Sequence, residues 1–394
     1  MGEAFNAVKE ENESGKIGYY RLPSDSLSLV DSVKNSALYS DTSIKNIAVI
    51  GIGGSSLGIK AIMQMLPANG KKAIHLLENS DPVNISQTFD LLKKEDTVFI
   101  VISKSGSTIE TTSIFKAAIA HFSIDLQSSD TDKIIAITDS GSSLSNFADE
   151  YSITQYNIPL NVGGRFSVLS AVGVVPLTLA GYDAKAVLQG ALAFEESFFK
   201  EEEDHLLRKA LHLTHHADSL KMNVIFSYAS NMENLSKWYV QLWGESLGKI
   251  DADGKRVGLT PIGLIGSTDQ HSFLQLIMEG PKDKTVTFIN VDDFENSLSV
   301  PDISLKYIEK TDFINGNSFN TLINSQCEAT KESLIQGGID VDSITFDRVS
   351  EENIGAMIIY YELLTSLCGV MLHINTYNQP GVELGKTILE AKFK

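Results

Sequence analysis

The chain has 394 residues, with 32 Lys+Arg against 50 Asp+Glu, a formal net charge of -18, 43% hydrophobic residues and 21% charged residues. This is globular composition, which excludes collagen-like, disulfide-scaffold and largely disordered classes. The acidic balance argues against nucleic acid, whose phosphates need a basic surface, but not against a small anion held by local donors. The polar N-terminus MGEAFNAVKEENESG lacks the apolar stretch of a signal peptide. Cys327 and Cys368 form no CxxC pair, which suits a reducing compartment. A cytoplasmic protein is therefore expected.

Residues 1–40 read as an N-terminal arm. Beyond it, short apolar runs alternate with amphipathic segments. IAVIGIG (47–53), AIHLLE (73–78), TVFIVIS (97–103) and KIIAIT (133–138) read as buried parallel strands. Helical patterns at 56–66, 83–94, 108–122 and 142–150 fall between them. A helical region covers 167–220, with the acidic run 201–204 marking a surface turn. The alternation then restarts: strands at 222–229, 284–291 and 342–347, and helices at 232–246, 316–335 and 351–374. This is an α/β protein of two units, 41–190 and 205–374, each a parallel sheet flanked by helices. Residues 375–394 form a C-terminal segment and helix. The most membrane-like stretch, 354–374, carries Glu362 at its middle. A charge at bilayer centre is costly, so it reads as a core helix, and no membrane is expected.

Two loops are built to hold an anion. GIGGSSLG (51–58) follows the first strand and opens a helix. Glycines admit a close backbone approach, and a helix N-terminus offers free N–H groups. A dinucleotide fingerprint fails here, because the third glycine of GxGxxG would fall on Ser56. In SKSGSTIE (103–110), Ser103, Ser105, Ser107 and Thr108 surround Gly106 beside Lys104. An ordinary N-cap needs one hydroxyl; four and a lysine point to a monophosphate. GxxxxGK[ST] is absent, so a nucleoside triphosphate is not expected.

Four further segments stand out. Arg165 in GGRFS lies near a helix N-terminus, where the dipole disfavours a cation unless an anion offsets it. In NMENLSKWYVQLWGESLGK (231–249), Leu235, Trp238, Tyr239 and Leu242 form a core stripe, while Gln241 and Glu245 share an adjacent face. Glu245 lies near the helix C-terminus, where the dipole favours proton uptake, as a general base needs. A surface pair with Lys249 is the competing reading. His271 in TDQHS stands at a loop-to-helix junction. In NQPGVELGK (378–386), Pro380 opens a last helix whose Gln379, Glu383 and Lys386 share a face. His212, His215 and His216 also share a face, but without the glutamate of HExxH or a nearby cysteine no metal is expected.

These segments, from IGIGGSSLG through SKSGSTIET, GGRFSVLSAVG, QLWGESLGK and DQHS to NQPGVELGK, resemble the glucose-6-phosphate isomerase (phosphoglucose isomerase) family in the family's order. The resemblance implies two domains of the SIS (sugar isomerase) type and reversible aldose–ketose isomerisation through a cis-enediolate, with no cofactor. Residue by residue, it implies that Gly54, Ser55 and the loop Ser103, Lys104, Ser105, Gly106, Ser107 and Thr108 hold substrate and phosphate. Gln241 and Gln379 would contact the sugar, Glu245 would move the proton, and Arg165 would stabilise the enediolate. His271 and Lys386 would open and close the ring, with His271 contributed across a homodimer interface. Asn378 departs from the family, where Asp is frequent. A non-catalytic sugar-phosphate-binding regulator would have no reason to keep Glu245, Arg165, His271 and Lys386 together. An isomerase that also accepts mannose 6-phosphate is a further alternative.

Overall fold

The computed structural model describes residues 1–67 and 72–394. Two parallel sheets organise the chain. The first runs β2-β1-β3-β4-β5, from β1 (Asn46–Ile50), β2 (Ala73–Leu77), β3 (Thr97–Ile102), β4 (Ile134–Thr138) and β5 (Thr154–Asn157). Every residue of β3 and β4 is buried, as the continuous apolar runs demand of strands covered on both faces. β1 pairs with β2 on one side and β3 on the other. The chain therefore reverses its direction of winding between β1 and β3, and the loops at their carboxyl ends splay apart to leave a ligand crevice.

The second sheet also contains only parallel pairs. Its strands are β6 (Met222–Ser227), β9 (Thr260–Ile265), β10 (Lys284–Asp293) and β11 (Asp340–Arg348), in the order β11-β10-β6-β9. A small antiparallel pair, β7 (Lys249–Ile250) and β8 (Arg256–Val257), precedes β9. The α/β class with parallel sheets flanked by helices is thus as expected. Three features were not. β5 is a polar edge strand, TQYN, and β9 contains Pro261 and Gly263; neither reads as a strand by hydropathy. β7 and β8 are too short to show a period.

The helical region 167–220 resolves into helices Ala171–Ala180, Ala184–Phe199 and Asp204–His215. The long helix Glu351–Met371 packs against the last two. It is long and apolar enough to cross a membrane, but 83% of its most apolar window is buried inside the protein. Glu362 at its centre is fully buried, and burial drives its carboxyl far above the usual range. Residues 1–40 pack against the body of the chain. Ala4, Phe5 and Val8 of helix Gly2–Glu13, with Tyr19 and Tyr20, join a core continuous with Leu363 and Leu367.

Candidate functional site

Arg165 is the centre of the site. It sits in the short turn Gly164–Phe166 and is only 4% exposed. A guanidinium has five N–H donors, and all five are engaged. Nε donates to Ser246 Oγ (2.7 Å). Nη1 donates to Glu245 Oε2 (3.3 Å) and Gln379 Oε1 (2.9 Å). Nη2 donates to the carbonyls of Thr376 (2.5 Å) and Asn378 (3.2 Å). Burial pulls the Arg165 guanidinium below its ordinary proton affinity, and the Glu245 carboxylate opposes that. One side chain thus ties the first sheet's GGR turn to helix Glu233–Leu247 and to the segment after the long helix.

Helix Glu233–Leu247 presents the site for a geometric reason. Leu235, Trp238, Tyr239 and Leu242 are buried as its core stripe, which leaves Gln241 and Glu245 on the adjoining face. Gln241 Nε2 donates to Glu245 Oε1 (3.2 Å). The competing reading of Glu245 as a Lys249 surface partner is replaced: Lys249 Nζ bonds the backbone carbonyls of Glu245 and Ser246, capping the helix, while the carboxylate faces Arg165. Burial, and then the nearby charge of Arg165, push the Lys249 ammonium down to about 8. Glu245, Lys249, Asn378 and Gln379 line one cleft of about 580 Å³.

The first glycine loop closes on this cluster. A Cβ on Gly54 would stand 2.2 Å from the Gly164 carbonyl oxygen, so only glycine lets the two loops meet. A Cβ on neighbouring Gly53 would stand 2.9 Å from Gln241 Nε2. Ser55 ends the same turn, Gly53–Ser55.

The second loop lies beyond β3, the neighbour of β1. Thr108 occupies the N-cap of helix Ile109–His121, yet its side chain makes no cap bond. Its hydroxyl pairs with Ser103 Oγ (2.9 Å). The Thr108 hydroxyl therefore does not cap this helix. Ser105 Oγ accepts from the backbone and hydroxyl of Ser107 (both 3.4 Å). Gly106 has φ +73°, and a Cβ there would press on Leu144 N at 2.5 Å. Lys104 points aside, donating to the Leu160 carbonyl (2.9 Å) and pairing with Asp139 (3.4 Å).

Two candidates stand apart from this cluster. His271, itself exposed, ends the turn Thr268–His271 and does not line the Glu245 cleft. Lys386 lies on helix Glu383–Phe393, which buries no residue, and pairs with Glu383 (2.7 Å). Among the described residues, no group of three or more His, Cys, Asp or Glu is placed to hold a metal; His212 pairs instead with Asp340 (3.2 Å).

The phosphoglucose isomerase family model matches residues 28–392. The chain belongs to the phosphoglucose isomerase family. It is 45% identical over 387 residues to the glucose-6-phosphate isomerase of Campylobacter jejuni, covering 98% of this chain and 94% of that one. The glucose-6-phosphate isomerase of Rubrobacter xylanophilus is 34% identical over 95% of this chain and 88% of its own. The crystal structure of a hypothetical protein from Thermus thermophilus superposes with a TM-score of 0.92 at 31% identity, covering 100% of this chain and 94% of that chain. A glucose-6-phosphate isomerase from Chlamydia trachomatis, 24% identical, shares the fold with a TM-score of 0.78 over 93% of this chain and 72% of its own.

Sequence reasoning named Glu245 and Gln379 but missed the other three acceptors around Arg165. Ser246 lies beside Glu245 but carries no signal of its own. The carbonyls of Thr376 and Asn378 are backbone atoms that no side-chain pattern announces. The Asn378 bond to Arg165 uses the main chain, so this contact does not depend on whether Asn or Asp stands there.

Proposed function

We propose that Glu245 is the base that carries the proton between C2 and C1, with Arg165 holding the negative charge that develops on the enediolate oxygens. The reaction is the reversible isomerisation of glucose 6-phosphate and fructose 6-phosphate, an aldose–ketose isomerisation of glycolysis and gluconeogenesis, as membership of the family gives. The observation that carries the residue assignment is the Arg165 Nη1–Glu245 Oε2 contact at 3.3 Å, whose glutamate lines a cleft. A base and a fixed cation side by side can take a proton from carbon and stabilise the charge left behind. Nη1 is the substrate-facing edge of the guanidinium, because both its partners are side chains that can yield to a ligand. Nε and Nη2 are held by a buried hydroxyl and by main-chain carbonyls, which keep the group from swinging.

The substrate phosphate is assigned to Ser103, Ser105, Gly106, Ser107 and Thr108 at the N-terminus of helix Ile109–His121, where N–H groups and hydroxyls favour an anion; the Lys104 ammonium, engaged by the Leu160 carbonyl and Asp139, is left out of it. Gly54 and Ser55 border the sugar, and Gln241 and Gln379 bond its hydroxyls. His271 and Lys386 are assigned to ring opening, His271 across a homodimer interface. Support for the dimer is helix Glu383–Phe393, which buries no residue and exposes Leu384, Ile388 and Phe393, apolar side chains that a second subunit would cover. Cytoplasmic residence accords with two free, buried cysteines.

Subunit complementation tests the assignment. Glu245→Gln and His271→Ala homodimers are each expected to be inactive. After mixed reassembly, half of the dimers carry one intact site out of two, so about a quarter of wild-type activity returns. Failure to recover activity despite hetero-dimer formation refutes the shared site.

A further inference from the structure

The segment Asn375–Gln379 supplies three of the five acceptors around Arg165, and it is itself irregular backbone that something must hold in place. Asn375 Oδ1 accepts from the backbone N–H groups of Tyr377 (3.0 Å) and Asn378 (3.3 Å), which shapes the turn. Tyr377 stands between the two carbonyls that accept from Arg165 Nη2. Its ring packs on Phe166, the neighbour of Arg165, at 5.6 Å between centroids. Its hydroxyl leaves the site altogether and donates to Glu11 Oε2 (2.5 Å) on the N-terminal helix Gly2–Glu13. Tyr20 donates to the same carboxylate oxygen (2.9 Å), and Ser366 of the long helix lies 3.1 Å from the Tyr377 hydroxyl.

We propose that Tyr377 and Glu11 are positioning residues for the isomerisation, anchoring the Thr376–Gln379 segment so that the Arg165 guanidinium is fixed toward the enediolate. The inference rests on the assignment of Arg165 above. Its physical content is a chain of directed bonds. The Glu11 carboxylate accepts from two phenols, one of which belongs to the residue whose flanking carbonyls clamp Nη2. A carboxylate–phenol bond is charge-assisted and short, so it fixes the strap better than ring packing alone does. With the anchor removed, the strap keeps its ring contact but loses its register. The guanidinium then samples orientations that miss the reacting oxygens, and small misplacements of a positioned group cost rate steeply. Binding of the substrate phosphate, on another sheet's loop, is untouched.

The variants Tyr377→Phe, Glu11→Ala and Glu11→Gln, made in the full chain, test this. Tyr377→Phe keeps the ring and Glu11→Gln keeps one acceptor. The expected result is a fall in kcat of about tenfold in Tyr377→Phe and Glu11→Ala, KM for fructose 6-phosphate within about twofold of wild type, and recovery of most of kcat in Glu11→Gln. A merely structural clamp would lower the melting temperature with kcat unchanged, and that result overturns the proposal. The cycle with Arg165→Lys decides the route: Tyr377→Phe should add no further loss on that background, and a full extra tenfold there shows action independent of Arg165. Full activity in Arg165→Lys would instead overturn the assignment of Arg165 itself, and with it this inference.

Discussion

Arg165 Nη1 stands 3.3 Å from Glu245 Oε2, with the arginine almost wholly buried and the glutamate a third exposed. The cation is therefore the fixed partner and the carboxylate the accessible one. That asymmetry suits a base that must reach a substrate proton while its neighbour holds still. It also gives the first prediction. Glu245→Gln should keep the fold, because the amide can still accept from Arg165, and should lose isomerisation by at least about 10²-fold. Coupled assay of kcat alongside circular dichroism checks this; retention of a tenth of the activity would remove Glu245 from the role of base.

Arg165→Lys keeps the charge but replaces a fork of five donors by three on one atom. Ser246, Gln379 and the carbonyls of Thr376 and Asn378 then cannot all be satisfied. The expected loss in kcat is about 10²- to 10³-fold, larger than any change in KM. Steady-state kinetics in both directions measure it.

Thr108→Ala should act on binding instead. The hydroxyl sits with Ser103 at an uncapped helix N-terminus, and an anion there is held alike in ground and transition states. Loss of one charge-assisted bond of roughly 1.5–3 kcal/mol raises KM for fructose 6-phosphate by about 10- to 100-fold. Inhibition by inorganic phosphate should weaken in parallel. A collapsed kcat at unchanged KM would place the phosphate elsewhere.

Glu195 offers a pH test away from the site. Burial first, and then the charge of Glu196, raise its carboxyl from 4.5 to about 7. The folded state therefore holds a proton that the unfolded chain has already released. Its contribution to stability is present below about 4.5 and is lost as pH rises through about 7. Glu195→Gln should raise the melting temperature more at pH 8 than at pH 5. Scanning calorimetry at the two values checks the sign; equal shifts would mean the group titrates normally.

Dialysis against EDTA should leave activity unchanged: among the described residues no group of three or more His, Cys, Asp or Glu is placed to hold a metal, His212 lies beside Asp340, and the proton transfer proposed for Glu245 needs no Lewis acid. A loss of turnover restored by one divalent ion would contradict this.

The local pattern of residues determined a good part of this molecule. Continuous β-branched runs such as TVFIVI can only be strands buried on both faces. The spacing of Leu235, Trp238, Tyr239 and Leu242 determined which side of their helix turns inward and so where Gln241 and Glu245 stand. The glycine loop after β1 and the hydroxyl-rich loop after β3 were legible from composition alone as turns that each lead into a helix. Tertiary structure decided the rest, because it depends on contacts between residues far apart in the chain. The polar strand Thr154–Asn157 forms because a parallel edge was available beside β4. The N-terminal helix joins the core because an apolar surface remained to be covered on the long helix. Arg165 finds Ser246, Thr376 and Asn378 at 81, 211 and 213 residues along the chain, two of them through main-chain carbonyls that have no side-chain signature. A buried guanidinium must satisfy every N–H, and only the folded chain determines which oxygens do so.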